Sequence, residues 1–417
     1  MKKKVVSLVM CAAMVGTLFA GCGSSGSSSS SSGSSSSSSS ASSKSETVSA
    51  SNTTSSSTTG GTTTSSSFTI NPDNMMEGTQ FEGLKANSSY SFNIIVKAFQ
   101  NTYWQAVMSG AQQAADELGV KISSQGPNTE SDIADQVNML NSAINGKPDG
   151  VGLSACDASS VLDSLNTAKS DGVPVVAFDT SIDGAPEGTL AATVATDSTG
   201  AGGVAGEKMW EAIKDRVTGS KDQSIVGMVA QDATSSNHQQ RGTGFINGLI
   251  DAATADGVKV AVTGNDYFVG ACKDKGDSKS AQLVIECAVP AQSTLDLAAT
   301  EASAIMNKSN CVGIFGSGQT AAEGIVQAND NLNVLGSDTS KDCIGIGFDS
   351  GTILKEKISD GTLYGAITQT PFAMGYYAVC ALVKAANGDT VEDMPLPGYF
   401  YNKDNLEDSL IAPNLYD

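Results

Sequence analysis

From Ser91 onward the chain repeats one unit, a short apolar run followed by a segment with helical spacing, in two successive series. The run FNIIV leads into YWQAVMSGAQQAADELG, where Trp104, Val107, Met108, Ala111, Ala115 and Leu118 fall on one helical face and Gly119 supplies a C-terminal stop. VKISS follows, then a helix with Ile133, Val137, Leu140 and Ile144 in step, closed by Gly146. The pattern continues through DGVGLS, a helix around Val161 to Ala168, and VPVVAFD. Strand then helix, four times over, predicts a doubly wound parallel sheet. The second series begins after TVATDSTGAGG. It comprises a helix through Met209 and Ile213, SIVGMVAQ, a helix containing HQQRGTGF, VKVAV, a helix from about Thr294 to Asn307, CVGIF, CIGIGF and TLYGAIT. The expected fold class is therefore α/β, two Rossmann-like doubly wound lobes with parallel sheets and a cleft between them.

In open parallel sheets ligands sit beyond the carboxyl ends of the strands. The residues there are Asn101, Tyr103 and Trp104 after the first strand, Asp179 after VVAF, and Asp232 and Asn237 after SIVGMVAQ. Arg241 stands in the next helix's first turns, Gly318 and Gln319 follow CVGIF, Asp349 follows IGIGF, and Gln369 follows AIT. The set holds carboxylates, amides, a guanidinium and aromatic rings, with no nucleophile beside a base. A neutral polyhydroxyl ligand needs that mixture. Carboxylates accept from hydroxyls, Arg and amide groups donate to their lone pairs, and Trp or Tyr rings pack against C–H faces. Asp179 or Asp349 taken singly would serve equally as a helix cap. Trp104 and Tyr103 would serve as core residues at a helix start. His238, the chain's only histidine, is expected on the rim or the helix surface, while Arg241 points into the cleft.

The first residues read as an export signal. MKKKVVSLVMCAAMVGTLFAGC has a Lys-rich start, an apolar stretch too short for a membrane span, and small residues before Cys22. LFAGC resembles a lipobox, which assigns residues 1–21 to a signal peptide and makes Cys22 the lipidated residue that anchors the chain to the membrane. Residues 22–89, dominated by Ser, Gly and Thr up to Ser67, are expected to form a disordered tether with a span of roughly 40–45 Å. The net charge of −20, from 24 basic and 44 acidic residues, argues against nucleic acid as a partner. Six cysteines lie in the body. Cys272 and Cys287 bracket the polar stretch KDKGDSKSAQ and form the expected disulfide, contributing about 3 kcal/mol. Cys311 and Cys343 each open an apolar run and could face each other across a parallel pair, or stand as buried free thiols. No zinc-site spacing is present, one histidine cannot build such a site alone, and no metal or cofactor is expected.

From about Tyr90 to the C-terminus the chain resembles the type I periplasmic binding proteins of bacterial ABC importers, in the ribose- and galactose-binding branch. The resemblance rests on FQNTYWQAVMSGAQQAADELG, VPVVAFDTS, HQQRGTGF, IGIGFDSG and TQTPFAMG. It implies a three-crossing hinge near Thr196, Gln369 and Pro397. It also implies an N-terminal lobe of residues 90–195 completed by about 370–398, and a C-terminal lobe of 196–369 completed by 399–417. The implied ligand residues are Asn101, Tyr103, Trp104, Asp179, Asn237, Arg241, Gln319, Asp349 and Gln369. Two positions depart from the ribose-binding pattern: Thr180 stands where an Arg follows the Asp, and Gly318-Gln319 stands where Asn-Asp is usual. Both weaken the case for ribose itself. Tyr267 and Phe268 are further candidates for the cleft wall.

The expected role is a monomeric, lipid-anchored, extracytoplasmic receptor that closes on a monosaccharide and presents it to an ABC permease. It is not expected to be an enzyme. The alternative is a sensing lipoprotein that presents a sugar or autoinducer to a receptor kinase. A sugar-responsive repressor would need a helix-turn-helix where this chain has its signal and tether.

Overall fold

The computed structural model describes residues 70–71, 73–99 and 102–417. The signal segment, Cys22, the Ser-rich stretch and Asn101 lie outside the described residues.

Two sheets carry the fold. The first series supplies β1 (Ser91–Ile95), α1 (Thr102–Leu118), β2 (Lys121–Gln125), α2 (Ile133–Asn145), β3 (Gly150–Leu153), α3 (Leu162–Asp171), β4 (Val175–Phe178) and β5 (Ala192–Thr196). The second supplies α4 (Ser198–Gly219), β6 (Ser224–Val229), α5 (Ser236–Ala255), β7 (Val260–Gly264), α6 (Asp266–Ala271), β8 (Leu283–Ala288), α7 (Leu295–Met306), β9 (Cys311–Gly316), α8 (Gln319–Leu332), β10 (Ile344–Phe348), α9 (Thr352–Ser359) and β11 (Gly365–Thr368). The chain closes with α10 (Pro371–Ala386), β12 (Met394–Leu396) and β13 (Tyr399–Tyr401).

The strand order is β12-β5-β4-β3-β1-β2 in one sheet and β13-β11-β10-β9-β6-β8-β7 in the other. All pairings are parallel except β11 with β13. Burial follows position in the sheet. Central β3, β4, β9 and β10 are buried at every residue, as strands covered by helices on both faces must be. The edge strand KISSQ of β2 has no fully buried residue, and its polar side chains suit an edge.

The helices following β5 and β11 cross between sheets. α4 leaves the first sheet and packs on α5 over the second, while α10 leaves the second and packs on α1 over the first. Glycines set both contacts. A Cβ on Gly110 or on Gly375 would lie 1.8 Å from a backbone carbonyl oxygen of the facing helix, and one on Gly202 or Gly244 would lie 2.2 Å from one. The helix backbones therefore approach at distances that only glycine allows.

The crossings meet at one place. Thr196 pairs in register with Leu396, Asp197 N–H donates to the Leu396 carbonyl at 3.0 Å, and Thr196 Oγ1 donates to Gln369 Oε1 at 2.9 Å. The C-terminal residues add a further link. Tyr416 is bonded to Ser350 of the second lobe through its hydroxyl and carbonyl oxygens, and its ring lies 5.5 Å from that of Tyr103 in the first.

The tether expected to run to residue 89 ends earlier. Met75 and Phe81 are buried against the first lobe, Phe81 stacks on Tyr377 at 5.9 Å, and the Tyr377 hydroxyl donates to the Met75 carbonyl. The segment NMMEGTQFEGL carries enough apolar side chains to offset its ordering, which the Ser-rich stretch before it lacks.

Candidate functional site

The carboxyl ends of both sheets converge on a cavity of about 310 Å³. That is near the lower end of the ~300–1,000 Å³ usual for small-molecule sites. Its lining includes Tyr103, Trp104, Asp179, Asn237, Arg241, Gln319, Asp349 and Gln369. Of the residues expected there from sequence, only Asn101 lies outside the described residues.

On the first lobe, Asp179 follows β4 in the left-handed region at φ 65°, an uncommon conformation for a non-glycine residue. Its Oδ1 accepts from the Tyr103 hydroxyl at 2.6 Å, and its Oδ2 accepts from Thr180 Oγ1 at 2.8 Å. Lys97 Nζ stands 3.3 Å from Oδ2, with both side chains buried. Burial alone would raise the Asp179 pKa, but Lys97, the Tyr103 hydrogen bond and Arg241 outweigh it and hold the carboxyl below its ordinary value. Burial likewise works to depress the Lys97 ammonium, and Asp179 with Glu130 reverses that, so it stays protonated. Trp104 forms another part of the wall, its Nε1 donating to Glu130 Oε1 at 3.3 Å.

On the second lobe, Asp349 follows β10, also left-handed, at φ 75°. Its Oδ1 accepts from Gln369 Nε2 at 2.6 Å and its Oδ2 from Gln319 N–H at 3.1 Å. Arg241 is 1% exposed, with its guanidinium carbon 3.9 Å from the Phe348 ring centroid. Its Nη1 lies 3.4 Å from the Ser317 carbonyl and 3.6 Å from Asp349 Oδ2. Its Nε and Nη2 have no partner in the protein. Buried guanidinium donors left unmade are costly, and a hydroxyl in the cavity would satisfy them.

His238 is buried and lines the cavity, not the rim or the helix surface expected of it. Its Nδ1 lies 2.6 Å from Asp232 Oδ2 and 2.9 Å from Ser235 Oγ. Burial of Asp232 acts to raise its pKa, but His238 and the Ser235 and Thr234 N–H groups hold it well below the ordinary range. Asp232 therefore orients the imidazole and caps the turn before α5.

Gly318 is part of the same arrangement. A Cβ there would come 2.5 Å from Gln231 Oε1 and 3.1 Å from His238 Nε2. The space that a larger residue would fill is taken by these two side chains.

Other expectations do not hold. Phe268 is fully buried in the second lobe's core, its ring 2.5 Å from where a Cβ on Gly242 would lie, and Tyr267 is exposed. Neither lines the cavity. Cys272 and Cys287 stand as free thiols in the structure, as do the other four described cysteines. The Cys272 thiol turns back to donate to the Val269 carbonyl at 3.2 Å, while Cys287 is buried between β7 and β6.

Lining residues that the sequence reading missed include Lys97, Asn128, Thr129, Glu130, Ser131, Gln231, Ser293 and Tyr416. Asn128 to Ser131 follow β2 and Ser293 follows β8, so the same strand-end rule would have found them. Lys97, two residues past β1, falls under it too. Tyr416 arrives from the far end of the chain and gave no signal.

The periplasmic binding protein domain matches residues 92–390. The chain belongs to this family. It is a family of extracytoplasmic binding components of transporters, not of enzymes. No curated protein sequence matches the chain.

Solved structures agree with the family assignment. A protein of Brachyspira murdochii described as an ABC transporter, LacI family transcriptional regulator, shares 28% identity at a TM-score of 0.67, over 80% of this chain and 100% of its own. An ABC transporter solute-binding protein of Agrobacterium vitis, with bound D-fucose, shares 25% at 0.63, over 78% and 100%. A carbohydrate transporter solute-binding protein of Agrobacterium radiobacter, in complex with D-arabinose, shares 23% at 0.62, over 79% and 100%, and supports the fold.

Proposed function

We propose that the chain is the solute-binding lipoprotein of an ABC importer, which closes its lobes on a monosaccharide, pentose or hexose, and presents it to the permease. The observation that carries the reading is Arg241. Two of its buried donors are unpartnered, while Lys97, Asp179, Asp349 and Gln369 beside it in the cavity are held by one another and by their neighbours. The lining cations are paired with carboxylates, Lys97 with Asp179 and Arg241 with Asp349, so no uncompensated positive charge is set aside for an acidic ligand. Hydroxyl groups fit this arrangement, since each donates to a carboxylate and accepts from a guanidinium or amide. The D-fucose held by the Agrobacterium vitis protein points to the same ligand class.

In this reading Arg241, Asp179, Asp349, Asn237, Gln319 and Asn101 bind hydroxyls, and Trp104 and Tyr103 supply ring surface. Gln369 holds Asp349 against the hinge. Lys97, Glu130 and His238 join the set from the geometry. Cys22 carries the lipid, and the Ser-rich stretch spaces the body from the membrane.

The test is a thermal-unfolding screen of the body from residue 68 onward, stripped of ligand by denaturation and refolding, against pentoses, hexoses, inositols, nucleosides and amino acids. A ligand at 100 times its Kd adds about 2.7 kcal/mol of stability and raises the midpoint. A response confined to nucleosides or amino acids would overturn the sugar reading.

A further inference from the structure

Cys311 and Cys343 take no part in the cleft. Cys311 opens β9, and Cys343 stands immediately before β10, its parallel neighbour in the sheet. Both are buried, and their Sγ atoms are 3.7 Å apart. The sheet is irregular at this point. β9 shifts register against β6 between Ile225 and Val226, which pair with Cys311 and Gly313 and leave Val312 as the extra residue. The extra residue puts Cys311 in the same core cluster as Ile314, three residues on, where regular alternation would send them to opposite faces. Cys343 packs in that cluster too, with Ile305, Met306 and Ile325. The irregularity thus brings the two thiols together on one face of the sheet.

Among the described cysteines, Cys311 and Cys343 have thiols within hydrogen-bonding reach of each other. The Cys156 thiol donates to the Lys97 carbonyl at 3.7 Å, and that of Cys272 to Val269. The family is extracytoplasmic, and disulfides form and persist in such compartments.

We propose that Cys311 and Cys343 are joined by a disulfide in the exported protein. Closing the sulfurs to the roughly 2.05 Å of a disulfide requires about 1.7 Å of movement, which rotation of the two side chains supplies. The oxidant is a disulfide of the export compartment, either a dithiol oxidase in its oxidised form or a small-molecule disulfide. One cysteine, as its thiolate, attacks a sulfur of the oxidant and expels a thiol. The second attacks the resulting mixed disulfide and expels the other. Two S–H bonds are lost, one S–S bond forms, and the two electrons and two protons reside in the reduced oxidant. The bond closes a loop with a sequence separation of 32 around α8. It ties together the bases of the two strands whose other ends lead to Gln319 and Asp349.

The experiment uses the full chain recovered after export from a bacterial host. It is alkylated with iodoacetamide under denaturing conditions without reductant, then digested and mapped by mass spectrometry. The expected result is a peptide linking Cys311 to Cys343, with Cys156, Cys272, Cys287 and Cys380 alkylated. Alkylation of both Cys311 and Cys343, or a link from either to another cysteine, overturns the proposal. Reduction of the native chain should lower its Tm by about 5 °C or more and leave that of the Cys311→Ala/Cys343→Ala variant unchanged. Equal effects of reductant on the two proteins would also overturn it.

Discussion

Asp179 and Asp349 are counterparts in the two lobes. Each follows a Phe at the end of a fully buried central strand, each adopts a left-handed backbone, and each turns its carboxylate toward a buried cation. The strained backbone is the consequence of aiming a side chain off a strand end into the cleft instead of along the following turn. The two sites differ in where the cation originates. Lys97 reaches Asp179 from just after β1, whereas Arg241 reaches Asp349 from α5, which follows β6.

That difference sets the expected effect of Arg241→Ala. The substitution removes two donors that only a ligand would satisfy, at roughly 1.5–3 kcal/mol for each charge-assisted bond. Affinity for the sugar that stabilises the native chain should fall by about 100-fold or more by titration calorimetry. Arg241→Lys should not restore it, because an ammonium cannot reproduce the planar fork or the stacking on Phe348. Unchanged affinity in the Ala variant would remove Arg241 from the site.

Lys97→Met tests the other pair. It leaves the Asp179 carboxylate buried with its hydroxyl donors but without its paired cation, and breaking such a pair costs about 3–5 kcal/mol. Chemical denaturation should show that loss in Lys97→Met, and the double variant with Asp179→Asn should recover part of it. Additive losses would mean that the two side chains do not interact.

The pair also predicts a pH profile. Asp179 lies below its ordinary 3.8, so its contribution is present above that value and lost as pH falls through the folded pKa. Lys97 lies above its ordinary 10.5, so its contribution is present below that value and lost as pH rises through the folded pKa. Stability should therefore be level in this contribution between about pH 5 and pH 10. The acid-side loss should shrink in Asp179→Asn, measured by denaturant midpoint against pH. An acid limb identical in the variant and the native chain would assign it to other carboxylates, Asp232 first among them.

The lobes and the strand ends were legible in the sequence because they depend on local patterns. Buried parallel strands must be apolar throughout, amphipathic helices repeat at 3.6 residues, and in a doubly wound sheet the polar residue after each strand faces the cleft. Arg241, Asp179 and Asp349 follow from that rule alone. His238 was misjudged because helical spacing does not reveal that α5 is covered on several sides. Its burial depends on Gly318, eighty positions later, leaving room beside it. The cation beside Asp179 was also missed. Thr180 stands where the ribose-binding resemblance would place an Arg, and Lys97, which the strand-end rule puts at the cleft, pairs with Asp179 from the neighbouring part of the sheet. Neither the approach of Cys311 to Cys343 nor the packing of Phe81 on Tyr377 could be ranked from spacing, since both depend on segments meeting from distant parts of the chain.

The glycines between helices give the sharpest test of the interlobe architecture. Gly244 of α5 faces α4, and a Cβ there would lie 2.2 Å from the Thr199 carbonyl oxygen and 3.2 Å from the Gly203 nitrogen. Both contacts are backbone, so no side-chain rotation relieves them, and α4 has to move away from α5. Because α4 begins at the β5 crossing, that shift reaches Thr196 and its hydrogen bond to Gln369, which in turn holds Asp349. Gly244→Ala should therefore cost about 1–3 kcal/mol or more in stability and also weaken sugar binding. Gly219→Ala, at the open end of α4 with nothing within 4 Å, should do neither. Thermal unfolding with and without the sugar, on both variants, separates the two effects. A stable Gly244→Ala protein with native affinity would show that the α4–α5 contact is looser than the structure describes.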